Sequence, residues 1–341
     1  MKSFKNIDEM FFAACKFIEL YGHDIPSRDG HSREVMGYCA RLGDPRANFL
    51  VNPVRKLNPS YAAAEFLWYL SGENKIEMIQ SYAPQYTRFT EDGKTAWGAY
   101  GYRWGNDPSF VKELIKHNDN LKLNFSVDKF LGDEKLQAPI NQLQAVTWLL
   151  KKNPNTRQAV ISMWNPGDLV HALLGDKKDI PCTTSLNFLI RKNKLYLTTT
   201  IRSNDVWLGF PYDVWCFTNL QILIADILGL ELGWYQHQAM SLHVYDRNLK
   251  KFNEARKSSI PKFCPIFYYQ NISGPAYSEM LNTILDLERS MVKEKRYQNI
   301  PLLSSHTLLG QCFAMMGLKW DYDNAISHID NHDLREFCRR E

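Results

Sequence analysis

Ile201-Arg202-Ser203-Asn204-Asp205-Val206-Trp207-Leu208-Gly209-Phe210-Pro211-Tyr212-Asp213 sets one cation, two carboxylates and a polar turn between two regular segments. Upstream, residues 194–201 are rich in Thr and follow the turn pair Lys192-Asn193, which predicts a strand. Downstream, an apolar run extends to Leu230 and predicts a buried helix. Segments 158–164, 185–191 and 240–245 read as further strands, and 6–21, 59–70 and 140–150 as helices. The pattern predicts an α/β (α+β) protein with a twisted mixed sheet flanked by helices. A loop bearing Arg28 and Arg33 follows the first helix, and the polar stretch 106–137 reads as a surface insertion. Residues 1–255 are taken as the main domain and 256–341 as a helical C-terminal extension, with apolar positions at helical spacing in 278–291 and 302–316.

Cys182 follows a proline and precedes Arg202 by 20 residues. A thiol attacks only as its thiolate, and a guanidinium that never loses its proton favours that form. The pair suggests a nucleophilic enzyme for a flat, anionic substrate. Composition fits this reading: 341 residues with 45% hydrophobic content can bury a substantial core, and a formal charge of +4 without long Lys/Arg runs argues against nucleic acid as partner. The first ten residues carry Asp8 and Glu9 where a secretory signal needs an apolar run, and the apolar stretch 220–230 is too short to cross a bilayer and contains Asp226. Seven cysteines without paired spacing indicate reduced thiols and a cytoplasmic setting.

Pro181-Cys182, Arg202-Ser203-x-Asp205, Leu208-Gly209-x-Pro211 and His243-x-Tyr245 occur in order. Upstream stand Arg28, Glu65-Phe66-Leu67-Trp68, Gly98-x-Tyr100-Gly101, Arg157 and Trp164-Asn165. Over roughly residues 10–250 the chain resembles the thymidylate synthase family, which includes the pyrimidine hydroxymethylases. The resemblance implies that Cys182 attacks carbon 6 of a pyrimidine nucleoside monophosphate, so that carbon 5 captures the one-carbon unit of 5,10-methylenetetrahydrofolate. It implies phosphate contacts from Arg28, Arg202, Ser203 and, across a homodimer interface, Arg157. It implies sugar contacts from His243 and Tyr245, a folate face made by Asp205, Leu208, Gly209 and Tyr212, and a catalytic set of Cys182, Glu65, Arg202, Asp213 and Tyr100.

Glu65 lies inside an apolar helical segment, where a carboxylate is costly to bury. The family pattern gives it proton handling at the base through ordered water, a task suited to a desolvated carboxyl group. Asp213 stands where thymidylate synthases usually have Asn. A carboxyl group can accept from the exocyclic amine of cytosine and share a proton with its ring nitrogen, whereas uracil presents a carbonyl there. The expected substrate is therefore dCMP or CMP; the alternatives are a thymidylate synthase or hydroxymethylase acting on dUMP, a cytidylate 5-methyltransferase and, last, a non-catalytic binding protein on the same fold. Asp213 also precedes the apolar helix, where it would serve as an N-cap.

Gln158, Thr183 and Ile201 replace Arg, His and Gln of the family pattern. The chain ends in the charged run Leu334-Arg335-Glu336-Phe337-Cys338-Arg339-Arg340-Glu341, where thymidylate synthases close over the folate. A less shielded intermediate would admit water and give a hydroxymethyl rather than a methyl product. His328 and His332 share a predicted helix face near Cys338, but two histidines and a distant thiol do not make a metal site, and none is expected.

Overall fold

The computed structural model describes residues 2–27, 30–105, 141–269, 274–298 and 307–339. Arg28 and the predicted insertion 106–137 lie outside the described residues. The strands are β1 (Lys2–Phe4), β2 (His23–Ser27), β3 (Gly30–Leu42), β4 (Val160–Ser162), β5 (Thr183–Arg191), β6 (Lys194–Asp205) and β7 (Glu231–Tyr245). They form one mixed sheet in the order β1-β3-β7-β6-β5-β4, with β2 paired antiparallel to β3. β6 and β7 run parallel; β5–β6 and β3–β7 are antiparallel.

The helices of the first 257 residues are α1 (Ile7–Tyr21), α2 (Pro59–Ser71), α3 (Glu77–Tyr82), α4 (Tyr100–Gly105), α5 (Gln142–Lys152), α6 (Pro166–Leu174), α7 (Gly209–Leu228) and α8 (Asp246–Lys257), of which α1, α4, α5, α7 and α8 pack on strands of the sheet. The later helices are α9 (Gly274–Glu294), α10 (Leu308–Gly317), α11 (Tyr322–Ile326) and α12 (His332–Arg339). The predicted mixed sheet with flanking helices is what the structure shows. α7 connects parallel strands β6 and β7 and is buried along most of its length, as an apolar sequence on nearly all sides requires. Completely burying a side chain such as Phe217 contributes roughly 1.5–3 kcal/mol. α2 starts where Asn58 accepts from Tyr61 N–H and Pro59 supplies a helix-ready φ at the first turn. It packs on α7, where Trp215 Nε1 donates to Ala62 O at 3.1 Å.

The last helices do not stand apart. Ser60 Oγ on α2 donates to Met315 O on α10 at 2.9 Å, and Phe337 on α12 meets Phe49 edge-on at 5.8 Å. They share one continuous core with the sheet layer.

Three readings need correction. The predicted loop bearing Arg33 is strand β3, hairpinned with β2, and Arg33 donates to the carbonyls of Ile18 and Glu19 at the end of α1. Asp213 is not an N-cap: the helix begins at Gly209, and Asp213 lies one turn inside it. The turn before the helix is tied instead by Asp205, whose Oδ1 accepts from Trp207 N–H at 2.8 Å. His328 follows α11 while His332 opens α12, so no single helix presents both.

Candidate active site

β6 continues past Ile201, so Arg202, Ser203, Asn204 and Asp205 are strand residues, and in place of the expected polar turn the chain turns on the apolar Val206-Trp207-Leu208. Sheet pairing lapses at Gly37 opposite Met240 and at Arg202 beside Met240, and the β5–β6 register shifts between Thr183 and Ser185. Gly37 has φ 72°, a left-handed conformation that glycine adopts without strain. This row of irregularities crosses the sheet next to Cys182.

The β5–β6 hairpin brings Cys182 and Arg202 together despite their separation in sequence. Arg202 N–H donates to Cys182 O at 2.8 Å. Arg202 Nε donates to Pro181 O and Nη2 to Ile180 O, each at 2.9 Å, while the guanidinium lies over the Trp164 ring. The cation is thus fixed against the segment that carries the thiol. Next to it, Thr183 N–H donates to Tyr100 Oη at 3.1 Å, and the Tyr100 ring stacks on Phe217 of α7. Burial, with the charges of Asp213 and Cys182 beside it, holds the Tyr100 hydroxyl well above its usual range.

Glu65 is buried on α2, where Tyr61 Oη donates to its Oε1 at 2.8 Å and Cys216 Sγ lies 3.8 Å from Oε2. Burial pushes its carboxyl up to about 8, Asp213 adding to the rise while Tyr61, Cys216 and Tyr69 oppose it. Asp213 is pushed up to about 7 by the same desolvation, offset by the Asn204 amide, whose Nδ2 donates to Asp213 Oδ2 at 2.7 Å. The two carboxyl groups with raised pKa bear on each other, and Tyr100 and Tyr86 feel the charges of Cys182 and of one or other carboxylate, the grouping expected of an acid–base site. Tyr86 belongs to it too, since the charges of Glu65, Tyr100 and Cys182 all bear on its hydroxyl.

Asp205 is likewise pushed up to about 6 by burial, with the N–H groups of Trp207 and Leu208 opposing. Its Oδ2 is buried without a hydrogen-bond partner. Leu208 is exposed at the mouth of α7, and Tyr212 meets Tyr61 edge-on at 4.7 Å. Gly209 has a reason beyond the turn: a Cβ there would lie 3.1 Å from Asn204 Nδ2 and 3.2 Å from Asp213 Oδ2.

His243 and Tyr245 share the end of β7 with their rings 5.0 Å apart, and His243 Nδ1 is 3.2 Å from Ser241 Oγ. Ser203 pairs with Ser241 across β6 and β7. Arg157 is exposed ahead of edge strand β4, on the far side of β5 from Arg202. Tyr61, Tyr69, Tyr86, Asn204 and His237 were not singled out in the sequence. A phenol one helical turn from Glu65, as Tyr61 is, was the available signal.

Residues 9–273 match the family model described as thymidylate synthase. Over 227 residues the chain is 33% identical to the deoxyuridylate hydroxymethyltransferase of Bacillus phage SP01, covering 66% of this chain and 53% of that protein. It is 24% identical over 233 residues to the thymidylate synthase of Mycoplasma genitalium, covering 65% of this chain and 76% of that protein. It is also 24% identical over 276 residues to that of Phytoplasma mali, covering 76% of this chain and 88% of the relative. The chain thus spans about half the length of the phage relative. Family members are one-carbon transferases that use methylenetetrahydrofolate as donor. No helix among the described residues is long and apolar enough to cross a membrane. With the family match extending over most of its length, the chain belongs to the thymidylate synthase family.

Proposed function

We propose that this protein is a 5-hydroxymethyltransferase for a cytosine nucleoside monophosphate, with Cys182 as nucleophile. The carrying observation is Asp213: one carboxyl oxygen is taken by the Asn204 amide, leaving the other to accept from an exocyclic amine. A carboxyl that titrates near 7 also has a proton to share with the ring nitrogen at neutral pH.

In this reading the Cys182 sulfur adds to carbon 6 while Arg202 holds positive charge next to it. Glu65, protonated below about 8, exchanges protons with the base through water, and Tyr61 and Tyr69 orient it. Tyr100 receives the Thr183 N–H, which fixes its hydroxyl beside the thiol. Arg202 and Ser203, together with Arg28 and the partner subunit's Arg157, take the phosphate, and His243 and Tyr245 the sugar. The dimer is supported by the outer sheet face, where Met36 and Met240 are 71% and 64% exposed and Arg41 lies over Trp234.

The folate site fits its group. Asp205 Oδ2 offers a buried acceptor to a ring N–H, and Leu208, Gly209 and Tyr212 follow it in the chain at the start of α7. When bound, methylenetetrahydrofolate supplies a carbon at the oxidation level of formaldehyde. A hydroxymethyl product is favoured by the activity named for the phage relative. That name also supports a second reading, in which the substrate is dUMP. Mass spectrometry of products after mixing the protein with methylenetetrahydrofolate and dCMP, CMP, dUMP and UMP separates the two. The first reading predicts a cytidylate heavier by one CH2O unit; product from uridylates alone overturns it.

A further inference from the structure

Behind Asp213 runs a buried line of hydrogen bonds that no step above uses. Asn204 Oδ1 is 2.8 Å from His237 Nε2, His237 Nδ1 is 2.9 Å from Tyr235 Oη, and Tyr235 Oη is 2.7 Å from Thr199 Oγ1. Thr199, Tyr235 and His237 are wholly buried, and Asn204 nearly so. The Phe210 ring meets His237 edge-on at 4.9 Å, which fixes the imidazole plane.

The line has only one consistent set of proton positions while Asp213 is a carboxylate. Its Oδ2 must accept, so Asn204 presents its NH2 to Asp213 and its carbonyl to His237. His237 must then carry its proton on Nε2. Burial pushes its pKa down to about 3, so the ring is neutral and Nδ1 is an acceptor. Tyr235 fills that acceptor with its only proton, and Thr199 donates to the phenol oxygen, its other acceptor Gln236 O being farther away at 3.4 Å. Without the Tyr235 hydroxyl, the imidazole is free to move its proton to Nδ1. Asn204 can then turn over and show Asp213 a carbonyl.

We propose that the chain Thr199–Tyr235–His237 is a positioning device that locks the Asn204 amide with its NH2 toward Asp213, and thereby sets the preference for cytosine over uracil. The inference rests on the base-reading role of Asp213 proposed above. Among the described residues, the titratable groups that bear on Asp213 include Glu65 and Tyr69 from α2, Tyr100 from α4, Cys216 from α7 and Tyr235 from β7. None of them lies between Asn204 and His237.

The test compares Tyr235→Phe, His237→Leu, His237→Gln and Asp213→Asn by kcat/KM on dCMP and dUMP across pH 5–9. Tyr235→Phe and His237→Leu are expected to lower the cytosine-to-uracil ratio at least tenfold. For Tyr235→Phe the alkaline limb with dCMP should also move to higher pH, because a carbonyl facing Asp213 makes its proton harder to lose. His237→Gln, whose amide N–H can still donate to Asn204, should recover most of the ratio. If Asp213→Asn swings the ratio while neither Tyr235→Phe nor His237→Leu does, the chain merely packs and this inference fails alone. Lower activity in both chain variants, with neither ratio nor limb moved, also overturns it. If Asp213→Asn leaves the ratio unchanged, the base-reading role itself is wrong.

Discussion

Replacing Asp213 by Asn should reverse the base preference, and its size follows from the contact with Asn204. Asn204 Nδ2 donates to Asp213 Oδ2 at 2.7 Å, so a new amide at 213 must turn its carbonyl toward Asn204. Its NH2 then points where the base-facing carboxyl oxygen had been. Against the amine of cytosine, two donors meet: one hydrogen bond is lost and a buried donor is left unpaired, at a cost of about 1–3 kcal/mol. Against the carbonyl of uracil, the same NH2 finds an acceptor and gains a bond of about 1 kcal/mol. The ratio of the two kcat/KM values should therefore shift toward uracil by about 2–4 kcal/mol, roughly 30- to 900-fold. Steady-state rates on dCMP and dUMP, measured with parent and variant at pH 7, provide the ratio. A change of less than threefold would refute the argument, because Asn204 would then not dictate which group faces the base.

Glu65→Gln should lower kcat by about 10²–10⁴-fold, the usual contribution of general acid–base catalysis, while a nucleotide dissociation constant from calorimetry changes little. Glu65 holds its proton more tightly folded, at about 8, than unfolded, near 4.5, so its contribution to stability is complete below pH 4.5 and is lost as pH rises to 8. Thermal unfolding at pH 5 and pH 8 should show a decline that is smaller in Glu65→Gln. Gly209→Ala puts a methyl 3.1 Å from Asn204 Nδ2, so KM for the nucleotide should rise several-fold at nearly parental melting temperature; an unaltered KM would show that the pair tolerates displacement. Phe337→Ala removes a buried ring packed on Phe49, and urea unfolding should show a loss of about 3–5 kcal/mol; a loss under 1 kcal/mol would mean that α12 is not part of the core.

The legible parts of the fold were those governed by local chemistry. Pro59 ahead of an apolar run marks the start of α2, and the Thr-rich stretch before Ile201 marks β6. β3 was not legible, because its buried positions fall at Ser32 and Val35 before the left-handed Gly37 and at Tyr38, Ala40 and Leu42 after it, which breaks the inside–outside alternation. Asp213 was misplaced by one turn because α7 has no side-chain cap; the tie from Asp205 to Trp207 comes from the preceding strand.

The site divides in the same way. A buried carboxyl at Glu65 could be read from its apolar neighbours, and the structure adds the phenols that hold it. The line from Asp213 to Thr199 could not be read, since it joins α7, β6 and β7 through cross-strand neighbours whose register no local pattern fixes. Tyr235 and His237 do lie two apart on one strand and so share a face, a clue that gains meaning only with Thr199 opposite.

The central claim is that the Cys182 sulfur adds to the ring and makes carbon 5 exchangeable. Release of deuterium from [5-²H]dCMP in the presence of folate, compared between parent and Cys182→Ser, tests it most directly. The account predicts exchange by the parent and a loss of at least about a thousandfold in the variant, within the range over which removing a nucleophile slows catalysis. Exchange by Cys182→Ser at a near-parental rate would contradict it.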